Sequence, residues 1–157
     1  MNCTLIKPRQ LRRNRGISMI ETLIALFVAV SCAAIVGATM PAATASRARA
    51  DLSNRAVGVA QKELESIRSV GYPNVTPAAL LSRGYIDSVT PVTTNTYSFT
   101  NSDGAQTDSV AQLLPSGTGT VKIEDVEAEL RRVTVTVSWV DRGITKTYVV
   151  GTLVANI

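Results

Sequence analysis

The chain has 157 residues and a formal net charge of +4; 45% of its residues are hydrophobic but only 4% aromatic, so any core must be built mainly from aliphatic side chains. It contains no histidine, which removes Ser-His and Cys-His catalysis and the usual zinc sites. Five of the sixteen basic residues precede Gly16 and no acidic residue does; from Ile17 onward eleven basic residues face twelve acidic ones, which excludes the basic footprint of a nucleic-acid binder.

The first element is the stretch Arg12-Arg13-Asn14-Arg15-Gly16-Ile17-Ser18-Met19-Ile20-Glu21-Thr22-Leu23-Ile24-Ala25-Leu26. Basic residues lead to a glycine, a lone glutamate follows, and an apolar run continues to Ala45. No charged residue lies between Thr22 and Ser46. As a helix at ~1.5 Å per residue this stretch covers ~37 Å, enough to cross a hydrocarbon core of ~30 Å. A plain signal anchor needs only the basic flank and the apolar run. Glu21 is extra: a carboxylate just inside a spanning segment costs roughly 2.5–3.5 kcal/mol and by default marks a function with a partner. The segment itself contains no Lys or Arg. Cutting the peptide bond after Gly16 would create a cation, the α-amino group of Ile17, four residues before Glu21. The same cut removes Lys7, Arg9, Arg12, Arg13 and Arg15 together.

These residues resemble the class III signal of type IV pilins and of the pseudopilins of type II secretion. The resemblance implies that a membrane prepilin peptidase/methyltransferase cuts between Gly16 and Ile17 and N-methylates Ile17. It further implies that Glu21, at the fifth mature position, pairs with an N-terminal amine as subunits enter a helical filament. Two departures stand out. Ile17 occupies a position where most members carry Phe or Met, and the 16-residue leader is long. The implied organisation is a cleaved basic leader (1–16), a transmembrane and filament-core helix (17–45) and an outward-facing pilin-like head (46–157). The cationic leader places the N-terminus in the cytoplasm and the head in the periplasm or its equivalent. The span is too long for a cleaved secretory signal. Cys3 would leave with the leader, and Cys32 reads as a small apolar residue of the span.

Within the span, Gly37 and Pro41 predict a kink or local loosening, since proline removes a backbone donor and crowds the preceding turn. Beyond it the helix continues to about residue 69. Leu52, Ala56, Val59, Ala60, Leu64 and Ile67 recur at three- and four-residue steps and define one apolar face. Gly71 and Pro73 end it. Thr76 to Gly84 reads as a short helix with Thr76 as N-cap and Pro77 in the first position. The pattern then changes to period two: a strand over 97–100, a turn at 101–104, a loop at 116–119 and a strand starting near Val121. The clearest strand is Arg132 to Trp139, with Val133, Val135, Val137 and Trp139 on one side. Asp141-Arg142-Gly143 turns the chain into an antiparallel return over 144–154. The predicted fold is therefore α+β: a long N-terminal helix packed on a small antiparallel sheet of about four strands, with the valine and tryptophan row facing the helix stripe. Residues 60–68 and the C-terminal hairpin also resemble, more loosely, the V-type (PilV-like) minor pilins; the helix segment resembles the I-type minor pseudopilins as well.

Candidate chemistry in the head is sparse. Asn101, Asp103 and Asp108 beside Gly104 hint at a calcium loop, but full EF-hand spacing is absent and Asn-Ser-Asp-Gly is a common turn. Glu124, Asp125, Glu127 and Glu129 form an acidic patch that Arg131 and Arg132 compensate. Glu63 and Glu65 lie two apart on a helix and make a poor acid–base dyad. Arg47 and Arg49 read as a solvated membrane exit. No metal, cofactor or enzymatic activity is expected. The sequence points to a minor pilin acting in filament initiation or at the tip. Its expected partners are the processing peptidase, other pilins or pseudopilins, an inner-membrane assembly platform and membrane lipid. A minor pseudopilin of type II secretion and a non-polymerising, signal-anchored adhesion or sensor domain are the alternatives.

Overall fold

The computed structural model describes residues 18–104 and 107–156. The chain divides into two compact units, residues 1–44 and 45–157. Helix α1 (Met19–Val70) contributes to both.

In the first unit α1 is apolar on all sides, and its most hydrophobic window has a mean hydropathy of 2.4, none of it buried within the chain. This helix is long and apolar enough to cross a membrane. Its few hydroxyls bond to the helix's own carbonyls: Ser31 Oγ donates to Phe27 O at 2.8 Å and Thr39 Oγ1 to Val36 O at 3.1 Å. Thr44 Oγ1 does the same with Met40 O and Pro41 O. Such back-bonding satisfies these hydroxyl donors within the helix. The helix is continuous through Gly37 and Pro41.

In the second unit the remainder of α1 buries Ala56, Val59, Ala60, Glu63, Ser66, Ile67 and Val70. Leu52 and Leu64, expected in the apolar stripe, are partly buried and packed against the core. The buried face follows steps of three and four through residues 56, 60, 63, 67 and 70, with a carboxylate in the middle. A three-residue 3-10 turn (Tyr72–Asn74) follows Gly71, whose φ of 78° leaves the right-handed helical region. Helix α2 (Pro77–Ser82) begins as expected: Thr76 Oγ1 accepts from the Ala79 amide at 3.4 Å and Pro77 fills the first turn. A short α3 (Val110–Leu113) is a turn of helix the sequence reading did not include.

The sheet is a four-stranded antiparallel meander, β1 (Thr96–Ser98), β2 (Thr118–Glu127), β3 (Leu130–Asp141) and β4 (Ile144–Ala155), paired in chain order. Strand β2 starts earlier than expected, taking in Thr118 and Gly119, which had read as loop. Along β3 the alternation is complete: Val133, Val135, Val137 and Trp139 are buried, and the residues between them are less so. Arg142 and Gly143 connect β3 to β4 with φ of 53° and 80°, the left-handed pair that a two-residue hairpin turn requires. The α+β architecture, with a long N-terminal helix on a four-stranded antiparallel sheet, is the one the sequence predicts and is consistent with a pilin-like fold.

The core joins the buried face of α1 to Val121, Val133, Val135, Val137 and Trp139 of the sheet, with Leu80, Ile86, Phe99 and Val110 closing it. Each fully buried aliphatic or aromatic side chain is worth roughly 1.5–3 kcal/mol relative to exposure. Gly119 pairs with Val137 and so points into this core. A Cβ there would sit 2.6 Å from Phe99 Cζ and 2.8 Å from Val110 Cγ2. The Phe99 ring occupies the space that any other residue would need. Gly119→Ala is expected to destabilise the head by about 1–3 kcal/mol through overpacking. In thermal melts of the detergent-solubilised chain, an unchanged midpoint would contradict this packing.

Candidate functional site: the first turn of the N-terminal helix

Gly16 and Ile17 lie outside the described residues. The description begins at Ser18, whose carbonyl accepts from the amides of Glu21 (2.9 Å) and Thr22 (3.2 Å) and so starts the helix. Thr22 Oγ1 donates to Met19 O at 2.8 Å. Glu21 falls in the first turn, where the free amide ends of the helix favour a negative charge. Its side chain is exposed and makes no hydrogen bond or ion pair among the described residues. The surrounding surface is apolar: Met19 is 82% exposed and Phe27 75%. Over residues 19–44, α1 therefore presents one carboxylate on an otherwise uncharged apolar surface. Chemically it can bind a cation or accept hydrogen bonds, and the attraction strengthens as water is excluded. Cys32 is a free, exposed thiol on the same rod.

The head arranges its charges differently. Arg49 does not remain a free cation at the start of the second unit: its Nε lies 3.9 Å from Asp141 Oδ2, which Lys146 Nζ also approaches at 2.8 Å. The Lys146 hydrogen bond, helped by Arg49 and Arg142, holds the Asp141 carboxyl below its ordinary range. Arg55 pairs with Asp51 one turn away at 2.8 Å. Arg131 serves as a clamp. Its guanidinium bonds Asp125 at 2.8 Å, the carbonyls of Tyr72 (3.3 Å) and Val75 (2.9 Å), and sits 4.7 Å above the Tyr72 ring. The Tyr72 hydroxyl donates to Ala128 O at 2.9 Å, so the exit of α1 is tied to the β2–β3 hairpin from both sides. The acidic patch is thus partly consumed in structure: Asp125 by Arg131, and Glu124 by Lys122 at 2.6 Å.

Asp87, unremarked in the sequence, organises the segment after α2. Its carboxylate accepts from Ser98 Oγ (2.7 Å), Ser102 Oγ (2.9 Å) and the Asn101 amide (3.1 Å). Asp108, considered for calcium, instead pairs with Lys62 at 2.7 Å. Among the described residues no group of three Asp, Glu, His or Cys side chains could hold a metal ion.

The other residue the sequence did not reveal is Glu63. Its partner in the supposed dyad, Glu65, is exposed, whereas Glu63 is fully buried and neither of its oxygens has a hydrogen-bond partner among the described residues. Burial pushes its pKa up from 4.5 to about 7; the Thr107 hydroxyl opposes this, Asp87 adds to it, and Lys62 weakly opposes it. Thr107 Oγ1 is also buried and unpartnered, so the hydroxyl that faces the carboxyl stops short of a direct hydrogen bond.

Comparison with protein-family models, with curated proteins and with solved structures finds no match.

Proposed function

We propose that this chain is a minor pilin, a non-enzymatic subunit of a type IV pilus-type filament. Glu21 carries the reading. A membrane helix tolerates an unpaired carboxylate only at a cost, and here the carboxylate stands four residues after Ile17, where a cut after Gly16 would create an amine. In this account the chain sits in the inner membrane as a single-pass protein with its leader in the cytoplasm. A prepilin peptidase/methyltransferase removes residues 1–16 and methylates Ile17. An assembly platform then draws the mature helix out of the bilayer into a bundle of like helices. Two terms favour that transfer. Apolar side chains along the exposed rod gain packing partners, and Glu21 of one subunit meets an N-terminal amine out of water, where the attraction is several-fold stronger than in bulk solvent. The head, fastened to its own stretch of α1 by the aliphatic core, would ride on the outside. The looser likeness of residues 60–68 and of the β3–β4 hairpin to V-type minor pilins favours a role in initiation or at the tip. The sequence features that support this reading serve a pseudopilus equally well, since the two machines share the processing and the assembly chemistry.

The test is co-purification. Filaments sheared from cells expressing a tagged copy should contain the mature chain at low stoichiometry beside a major subunit. Its retention in the membrane fraction alone, with filaments present, would contradict the proposal.

A further inference from the structure

Glu63 sits at the centre of the buried face of α1, between Ala60 and Ile67, and is the sole fully buried carboxylate among the described residues. Natural cores almost never retain a carboxylate without partners, because an unpaired buried charge costs several kcal/mol. What faces it explains why it can be kept. The sheet offers no cation: its buried row is Val121, Val133, Val135, Val137 and Trp139. On α1 itself the neighbour is Lys62, whose ammonium is already engaged by Asp108 at 2.7 Å. The segments packed against that side of α1 bring Asp87, Asp108 and the Thr107 hydroxyl. Asp87 repels a carboxylate, Asp108 is paired with Lys62, and Thr107 brings a neutral hydroxyl. Residues 107–109 therefore lie against a site that accepts a neutral acid and rejects an anion.

We propose that Glu63 is a protonation-controlled latch: as a neutral acid it holds residues 107–109 docked on α1, and as a carboxylate it releases them. Val110 and Leu114 anchor α3 in the core, so α3 stays in place. Residues 107–109 themselves are attached by the half-exposed Lys62–Asp108 pair, the Ser109 Oγ to Thr100 O bond at 3.2 Å and the Gly104 amide to Thr107 O bond at 3.0 Å. The sign follows from linkage. Burial raises the carboxyl pKa from 4.5 to about 7, so a state that covers Glu63 binds the proton more tightly than one that exposes it. Docking is then strongest below pH 4.5, weakens as pH rises through about 7, and levels off above it. The head would change one patch of its surface across the neutral range without losing its fold. This inference does not rest on the filament reading; a tethered, non-polymerising head would carry the same latch.

The experiment is amide hydrogen exchange on the full chain in detergent, corrected for the intrinsic pH dependence of exchange. The reporters are the amides of Gly104 and Leu113, which bond Thr107 O and Ser109 O. The control is the β3–β4 ladder. Between pH 5 and pH 8 the reporters should lose protection by more than about tenfold while the ladder holds, and Glu63→Gln should abolish the slope. A flat wild-type profile, an equal loss in the ladder, or an undiminished slope in Glu63→Gln would each overturn the proposal. Should Glu63→Gln fail to fold, the wild type decides alone. The Glu63 carboxyl carbon, followed by NMR, should titrate near the same pH as the loss of protection, and a midpoint near 4.5 would overturn the latch.

Discussion

Glu21→Ala is expected to leave the chain processed and resident in the membrane, yet to reduce its recovery in sheared filaments by at least about tenfold. The proposed cleavage site lies on the other side of Ile17, and α1 keeps its first turn, because the carbonyl of Ser18 accepts the same amide whatever side chain position 21 carries. Processing should therefore proceed. Assembly should not. Removing one member of an ion pair that forms out of water strands the other, and the penalty is typically about 3–5 kcal/mol. At 1.4 kcal/mol per tenfold, that exceeds a hundredfold in an equilibrium before neighbouring subunits compensate. Glu21→Asp should recover part of the loss, since it keeps the charge and shortens the reach. Wild-type amounts of the Glu21→Ala chain in sheared filaments, measured by quantitative immunoblot, would remove the carboxylate from the assembly mechanism.

Gly16→Ala is the second large effect. It should stop processing, so that the full-length chain accumulates and migrates above the mature form on a denaturing gel. The reason is steric: a peptidase that cuts beside a glycine can close on bare backbone, and a methyl group at that position obstructs it. The consequences are electrostatic as well. In the proposed topology the five cations of the leader would stay attached and hold that end at the cytoplasmic face, and the amine at Ile17 would never form. Glu21 then has no cation to meet, so Gly16→Ala should be absent from filaments even though Glu21 is intact. The head should be unaffected, because its core lies in the unit formed by residues 45–157. Normal mature size for this variant would contradict the assignment of the cut.

How much of this was legible in the sequence depended on how local the determinants were. The β3–β4 hairpin was readable because its alternation and its Arg142–Gly143 turn are encoded within neighbouring residues. The Thr76–Pro77 start of α2 was readable for the same reason. The apolar face of α1 was readable at Ala56, Val59, Ala60 and Ile67, with Leu52 and Leu64 packed against the same core, but ranking residues by polarity discards Glu63. The spacing 56, 60, 63, 67, 70 was available, but only to a reading that admitted a buried carboxylate. Asp87 gave no local sign at all, because its role depends on Ser98, Asn101 and Ser102 returning to it from beyond a turn. Asp108 misled for the complementary reason: its spacing suited an ion-binding loop, while its partner, Lys62, lies forty-six residues away. The start of β2 was misplaced because Gly119 looks like a loop glycine. It is a strand glycine whose missing side chain is replaced by the Phe99 ring. Glu21, in contrast, was conspicuous from the sequence alone, as one charge in a long uncharged run.

The account depends most on a charge that does not exist until the chain is cut. The direct measurement is the intact mass, with N-terminal sequence, of the protein extracted from membranes of cells that contain an active prepilin peptidase. A chain beginning at Ile17 and heavier by one methyl group is the predicted result. A chain that still carries residues 1–16 would contradict it, and Glu21 would then be a carboxylate in a membrane anchor with no cation to meet.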